Sequence, residues 1–376
     1  MAIVALLTGG VAHADRSTTL TAEGGAEADT NVERVETGPG LMTDRIAAPV
    51  GRLGAKVDHR DSVLGGAYVL HASALARVVG NAEASPESVA LLVGDLRWIH
   101  PVGERPVSAG FGLNYTDALP LADAVGSRTF RTLAADGLLV LRGRGAPDRE
   151  RTLTIAAGLH QFTYKPSPEF QWLGPALSAR LDLTLWQASG GTRSLELAAQ
   201  AGIEARAYDQ VALADACPHD MEPADPRDCP APTSLLRRDR YHRIGVDLTW
   251  TGSIVATVGY QVTVTDSNSF GQSFVRHRVG LSATKDLPWQ LYGTVLATLQ
   301  LDQYLDGLIV QEDVQNQTFT TLDDENRSSL QGRLARPLSK LWSLESRVAV
   351  WRNLGSSGGD TAFRRALFYL GVVYSR

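Results

Sequence analysis

Charged side chains recur along this sequence on one parity of its alternating segments. Arg180 and Asp182 do so, as do Glu196, Glu204 and Arg206, Arg243 and Asp247, Arg276 and Arg278, then Arg333 and Arg347. Residues two apart on an extended chain share a face. Such rows can hold ions or solutes in an aqueous path, or pair with each other across strands. The same parity also collects Lys56, Arg77, Arg97 and Arg365 among the bases. Among the acids it collects Glu23, Glu27, Asp58, Asp95, Asp136 and Glu345. A path selective for one kind of ion needs a wall of one sign. Here the two signs nearly cancel. That predicts cross-strand pairs that stiffen a wall, or a path for a neutral or weakly charged polymer.

Catalysis needs a nucleophile, a base and an orienting group close together. His59 and His100 fall at expected turns, His219 lies in a Pro-rich loop, and His242 and His277 sit on an apolar face. His71 and His160 share the charged face, but neither has a nearby serine in a nucleophile motif. No catalytic residue, metal site or cofactor is therefore expected, and the chain does not read as an enzyme. Cys217 and Cys229 close the stretch CPHDMEPADPRDC with no second Cys or His pair at zinc spacing, which predicts a loop disulfide. The stretch 302–325 carries Asp302, Asp306, Glu312, Asp313, Asp323, Asp324 and Glu325. Their spacing does not match a calcium loop. They read as a solvated loop, with cation bridging to lipopolysaccharide as the alternative.

What must position these groups follows from composition and periodicity. The 376 residues hold 36 basic and 41 acidic side chains, a net charge of −5. That lacks the basic excess of a nucleic-acid binder. At 44% apolar and 20% charged, the chain is too apolar for a disordered one. Ala2 to Val11 is a short apolar run ending in Ala12-His13-Ala14, which predicts a signal peptide over 1–14 cleaved before Asp15, without a basic leading region. Beyond it no apolar run reaches the ~18 residues of a membrane helix.

From about residue 18 onward the periodicity is two. In Leu177 to Trp186 the odd positions are apolar, while the even ones are Ser, Arg, Asp and Thr up to the final Trp. About sixteen such segments are predicted, near 18–28, 46–58, 62–79, 88–100, 106–116, 129–142, 150–163, 176–187, 193–208, 239–251, 253–265, 272–285, 289–301, 326–337, 341–352 and 362–375. Each has about ten residues or more, the length a tilted strand needs to cross a bilayer. Short spacers at 59–61, 101–105, 143–149, 189–191, 251–253, 286–288 and 338–340 alternate with mostly longer ones at 29–45, 80–87, 117–128, 164–175, 209–238, 266–271, 302–325 and 353–361. Short and long connections alternating, with both chain ends on the short side, predict an all-β fold. Residues 15–376 are expected to form a transmembrane antiparallel up-and-down β-barrel in the outer membrane. The apolar parity would meet lipid and the charged parity would line a lumen. Trp98, Tyr115, Phe162, Trp186, Trp250, Trp289, Trp342 and Tyr374 lie near segment ends and are expected to form interfacial girdles.

Two stretches add a resemblance. Glu27-Ala28-Asp29-Thr30-Asn31-Val32-Glu33-Arg34 resembles the E-x-D-[ST]-N-[VP]-x-R opening of a group of outer-membrane barrels. That group comprises the barrel domains of poly-N-acetylglucosamine and cellulose export porins and the surface lipoprotein assembly modifiers. Pro337 to Leu344 and Trp351 to Ser357 resemble the hairpin before the last strand in that group, and Gly371 and Tyr374 match half of its terminal assembly signal. The resemblance covers about 40 residues at the two ends. The helical-repeat domain of the export porins is not found here. It implies a pore for secreted polysaccharide working with separate periplasmic export partners, and insertion by the barrel assembly machinery. The alternatives are a structural barrel anchoring an envelope complex and a general small-solute porin. All three place the chain among outer-membrane lipid and lipopolysaccharide.

Overall fold

The computed structural model describes residues 16–34, 45–103, 106–122, 129–143, 150–165, 168–215, 230–305, 328–352 and 363–376. The predicted signal peptide, Cys217 and Cys229 with His219, and the acidic residues from Asp306 to Glu325 lie outside these residues. Sixteen strands are described: β1 (Ser17–Asp29), β2 (Ala48–Val63), β3 (Gly66–Val79), β4 (Val89–Pro101), β5 (Val107–Pro120), β6 (Phe130–Gly143), β7 (Arg151–Tyr164) and β8 (Trp172–Gln187). They continue with β9 (Ser194–Asp215), β10 (Pro230–Thr251), β11 (Val255–Ser267), β12 (Phe274–Leu287), β13 (Leu291–Tyr304), β14 (Ser328–Pro337), β15 (Trp342–Arg352) and β16 (Arg364–Ser375). Each strand pairs antiparallel with its neighbours in sequence, and β1 pairs with β16 from Thr21↔Ser375 to Asp29↔Leu367, so the sheet is a closed barrel. Leu20 and Arg376 extend this seam by one reciprocal pair of backbone hydrogen bonds, 2.8 and 2.9 Å.

The alternation now has a physical meaning. One parity carries Leu53, Leu113, Leu159, Ile203, Ile244, Val258, Val279, Leu299, Val348 and Leu370, all exposed. An apolar surface this continuous is not stable in water, whereas in a bilayer it replaces lipid–lipid contact at no cost. Closure satisfies the backbone, since no strand edge is left in hydrocarbon. The barrel is a transmembrane barrel of the outer-membrane type.

Connections at one end span 30–47, 80–88, 121–129, 165–171, 216–229, 268–273, 305–327 and 353–363; those at the other end run from 64–65 up to 144–150. Trp98, Trp186, Trp250, Trp289, Trp342 and Tyr374 gather at the short-connection rim. There Trp186 stacks on Trp250 at 5.8 Å and Trp342 meets Tyr374 at 5.2 Å. Tyr115 sits on the outer face toward the opposite rim, where its hydroxyl donates to Asp117 at 2.9 Å. Phe162 departs from the expected girdle. Its register partner on β6 is Thr132 and it packs inward with Phe130, Tyr164 and Phe170, because its parity is that of His160.

Four further expectations shift. The first short turn is Leu64-Gly65, not 59–61, so His59 lies within β2. His100 likewise lies within β4. The predicted 209–238 loop is largely strand: β9 and β10 run past the bilayer as a hairpin, with register shifts between Pro232 and Leu236 and between Leu236 and Arg238. Asp302 is not in a loop but on β13, opposite Arg276.

The two faces make a direct prediction. Val279→Arg places a charge on the lipid face near mid-strand and should cost about 2–4 kcal/mol in reversible unfolding from lipid vesicles. Gly280→Ser, one residue along on the other face, should stay within about 0.5 kcal/mol.

Candidate functional site

Within the described strands the inward wall gathers most of the charged side chains. Tracing register from strand to strand puts Arg180, Asp182, Glu196, Glu204, Arg206, Arg243, Asp247, Arg276, Arg278, Arg333 and Arg347 on the face opposite the exposed leucines and valines. They do not form one cluster; they fall into three regions.

The first is the seam. Arg77 donates to Glu27 at 2.5 and 2.9 Å and to Asp29 at 3.1 Å, and Arg365 donates to Asp29 at 2.5 and 3.0 Å. Arg52 bonds Glu23 at 2.8 Å, and Arg347 bonds Glu23 at 2.8 Å and also Glu345, which in turn takes Arg333. These groups come from β1, β2, β3, β14, β15 and β16. Tyr369 lies among them with the Arg52 and Arg347 guanidinium groups 5.6 and 4.9 Å from its ring centroid. Its ring fits because Gly25 and Gly371 bear no side chain: a Cβ at Gly371 would lie 2.1 Å from the tyrosine hydroxyl. The motif residues continue this lock. The Asn31 backbone N–H donates to Asp29 at 3.0 Å, its amide to the Arg364 carbonyl at 3.2 Å, and the Ala366 N–H to the Thr30 hydroxyl at 2.8 Å.

The second region joins β6 to β10. His160 contacts Glu204 at 2.9 Å and Asp136 at 3.2 Å. Carboxylates only accept, so both contacts are hydrogen bonds only when the ring carries two protons. Glu204 also takes Arg206, whose guanidinium lies 4.1 Å from the Trp172 ring centroid and 3.9 Å from that of Tyr241. Arg180 bonds Asp182 at 2.9 Å, and Ser194 donates to Glu196 at 3.0 Å. The third region is β10 to β13. Arg276 grips Asp302 with two bonds of 2.8 Å, while Arg243, Asp247 and Arg278 make no side-chain hydrogen bond or ion pair with a described residue.

Burial divides the wall. The side chains of Asp29 and Arg365 are 0% and 1% exposed, whereas those of Arg333 and Lys56 keep 51% and 43% exposure. Toward the long-connection end the wall is buried at the seam and by inward aromatic packing of Phe130, Phe162, Tyr164 and Phe170. Toward the middle of the wall charged side chains keep exposed surface. Arg52 lies within the predicted segment 46–58 on the parity of Lys56 and Asp58, although it is not among the predicted lining residues. Asp29 and Asp302 fall in the predicted spacers 29–45 and 302–325, and extending the parity of Glu27 and Gln300 by one rung finds both.

Among the described residues, His71 and His160 on this wall contact carboxylates and no hydroxyl. A hydroxyl–imidazole contact, Thr18 to His59 at 2.7 Å, lies on the outer rim, where the other ring nitrogen meets the Tyr68 hydroxyl at 2.9 Å.

Neither a protein-family model nor a curated protein sequence matches the chain. Among solved structures, it is similar to the outer membrane channel DcaP of Acinetobacter baumannii, at 11% identity and a TM-score of 0.46 over 97% of this chain and 98% of that one. It is similar to OccAB3 of Acinetobacter baumannii at 10% identity and 0.43, covering 96% and 99%. It is also similar to OccK8 (OprE) of Pseudomonas aeruginosa at 10% and 0.41, covering 96% and 98%. The architecture itself is established by the strand pairing.

The seam and the exposed wall should respond differently to loss of charge. Asp29→Asn leaves Arg77 and Arg365 buried with a weakened partner and should cost about 3–5 kcal/mol of unfolding free energy. Arg180→Gln removes a solvated pair and should cost less than about 1 kcal/mol.

Proposed function

We propose that this chain is a passive channel of the outer membrane that admits small hydrophilic solutes, a porin-like role without covalent chemistry. The observation that carries the reading is the solvent-exposed, polar inner wall inside a sixteen-strand closure. A barrel of that strand number is wide enough to enclose an aqueous channel. The mixed signs of the wall favour modest charge selection over strict ion selectivity.

The polysaccharide-export reading has weaker support. The motif behind that resemblance, Glu27 to Arg34, is occupied in closing the barrel: Glu27 and Asp29 hold buried arginines, and Asn31 and Thr30 tie β1 to β16. Residues so used explain why a barrel needs them, whatever passes through. A purely anchoring barrel would have no need of exposed charges at mid-wall, where packed apolar side chains would be more stable.

The test is reconstitution of the full chain into vesicles and planar bilayers. Swelling of vesicles in small neutral sugars, with stepwise ohmic openings in the bilayer, is the expected result. Block of those openings by an added polysaccharide at low concentration would move the reading to polymer export. Absence of swelling and of current would leave the anchoring role.

A further inference from the structure

We infer that Arg243 and Arg278 form a binding site for an oxyanion-bearing solute on the channel wall. The inference rests on the lumen being water-filled, as proposed above. Most inward arginines of the described wall already hold a carboxylate, as Arg206 holds Glu204 and Arg276 holds Asp302. Arg243 and Arg278 hold none. Arg243 is exposed and Arg278 is half-buried. Both stand on the inward face, so their free donors meet the lumen.

Register places them close together. Arg243 pairs with Thr263 on β11, and Arg278 pairs with Gln261, one rung along the same strand. Two strand spacings of about 4.8 Å and one two-residue step of about 7 Å put the Cα atoms about 12 Å apart. Two extended arginine side chains reaching toward each other can share one ligand across that span. Between them the wall presents Gln261 and Thr263, whose side chains bond each other at 3.2 Å. Beside Arg278 the wall is recessed. Gly280 is the next inward residue on β12, and a Cβ built there would meet nothing within 4 Å. Guanidinium binds planar or tetrahedral oxyanions through paired N–H donors, which suits carboxylate and phosphate groups alike. The opposing charges at the site are Asp247, which lies over Gly259 one rung below Gly245, and Glu204, one rung along β9 from the register partner of Arg243 and already held by Arg206 and His160. Asp247 bounds the basic recess on the short-connection side, and it favours a ligand held against β11 and β12 over one that slides along β10.

The experiment uses the full chain refolded in detergent, with calorimetric titration at low salt. The probes are citrate, inorganic pyrophosphate and, as a neutral control, maltose. Citrate or pyrophosphate should bind and maltose should not, and the ratio of the first two separates a carboxylate from a phosphate ligand. The double variant Arg243→Gln with Arg278→Gln should bind at least tenfold more weakly. The control variant Arg180→Gln with Arg333→Gln should bind within twofold of the parent. Heat-modifiable gel mobility verifies that each variant is folded. No binding of either anion, or equal affinity in parent and double variant, overturns the site. Bilayer recording separates this outcome from the channel reading. Arginine-dependent binding in a silent protein keeps the site and removes the through-channel. Current with no arginine-dependent binding does the reverse.

Discussion

The pairing of β1 with β16 is the constraint on which everything else depends. In hydrocarbon an unpaired N–H or C=O costs several kcal/mol, so an open sheet of this size has no stable place in a bilayer. Closure removes the edge, but it must join segments more than 330 residues apart in sequence, as in the Asp29–Arg365 pair. Backbone bonds alone do not specify that register. The ion pairs through Glu23, Glu27, Asp29 and Glu345 do, because a slip by one residue would turn buried carboxylates toward lipid and leave Arg77 and Arg365 without partners. Tyr369, seated over two glycines, fixes the same register sterically.

Once the barrel is closed, the alternation of side chains assigns two solvents. The outer parity meets lipid and is apolar; the inner parity meets water or protein and is charged. The inner charges then have two fates. At the seam and toward the long-connection end most are buried and paired, and they serve architecture. At mid-wall they keep solvent contact, and they give the lumen its chemistry. Near-cancellation of sign over the whole wall conceals this division, since most wall arginines are held by carboxylates while Arg243 and Arg278 face the lumen without one.

Much of this was readable in the sequence. Period-two alternation over ten or more residues, with short and long connections in turn, leaves few architectures other than a transmembrane barrel. The same parity groups the charged side chains on one face of each strand. It failed where alternation breaks. The segments 209–215 and 230–238 contain Pro230, Pro232 and bulges, so a hairpin projecting beyond the bilayer read as a loop. Arg60 and Asp61 look like turn residues because they are polar, yet β2 continues to Val63 at the aqueous rim. Phe162 shows that an aromatic residue near a strand end does not declare its face; parity does. The pairing of Arg276 with Asp302 depends on register between strands, which a single sequence does not show.

The central claim is that one parity of each strand lines water while the other meets lipid. Cysteine scanning along β12 tests it most directly. In a Cys217→Ser, Cys229→Ser background, single cysteines would replace Arg278, Val279, Gly280, Leu281 and Ser282, and a charged, membrane-impermeant thiol reagent would be applied to the protein in vesicles. Labelling at 278, 280 and 282 with protection at 279 and 281 is the predicted result. Protection at all five positions would show a filled barrel, and labelling without alternation would contradict the strand and its two faces altogether.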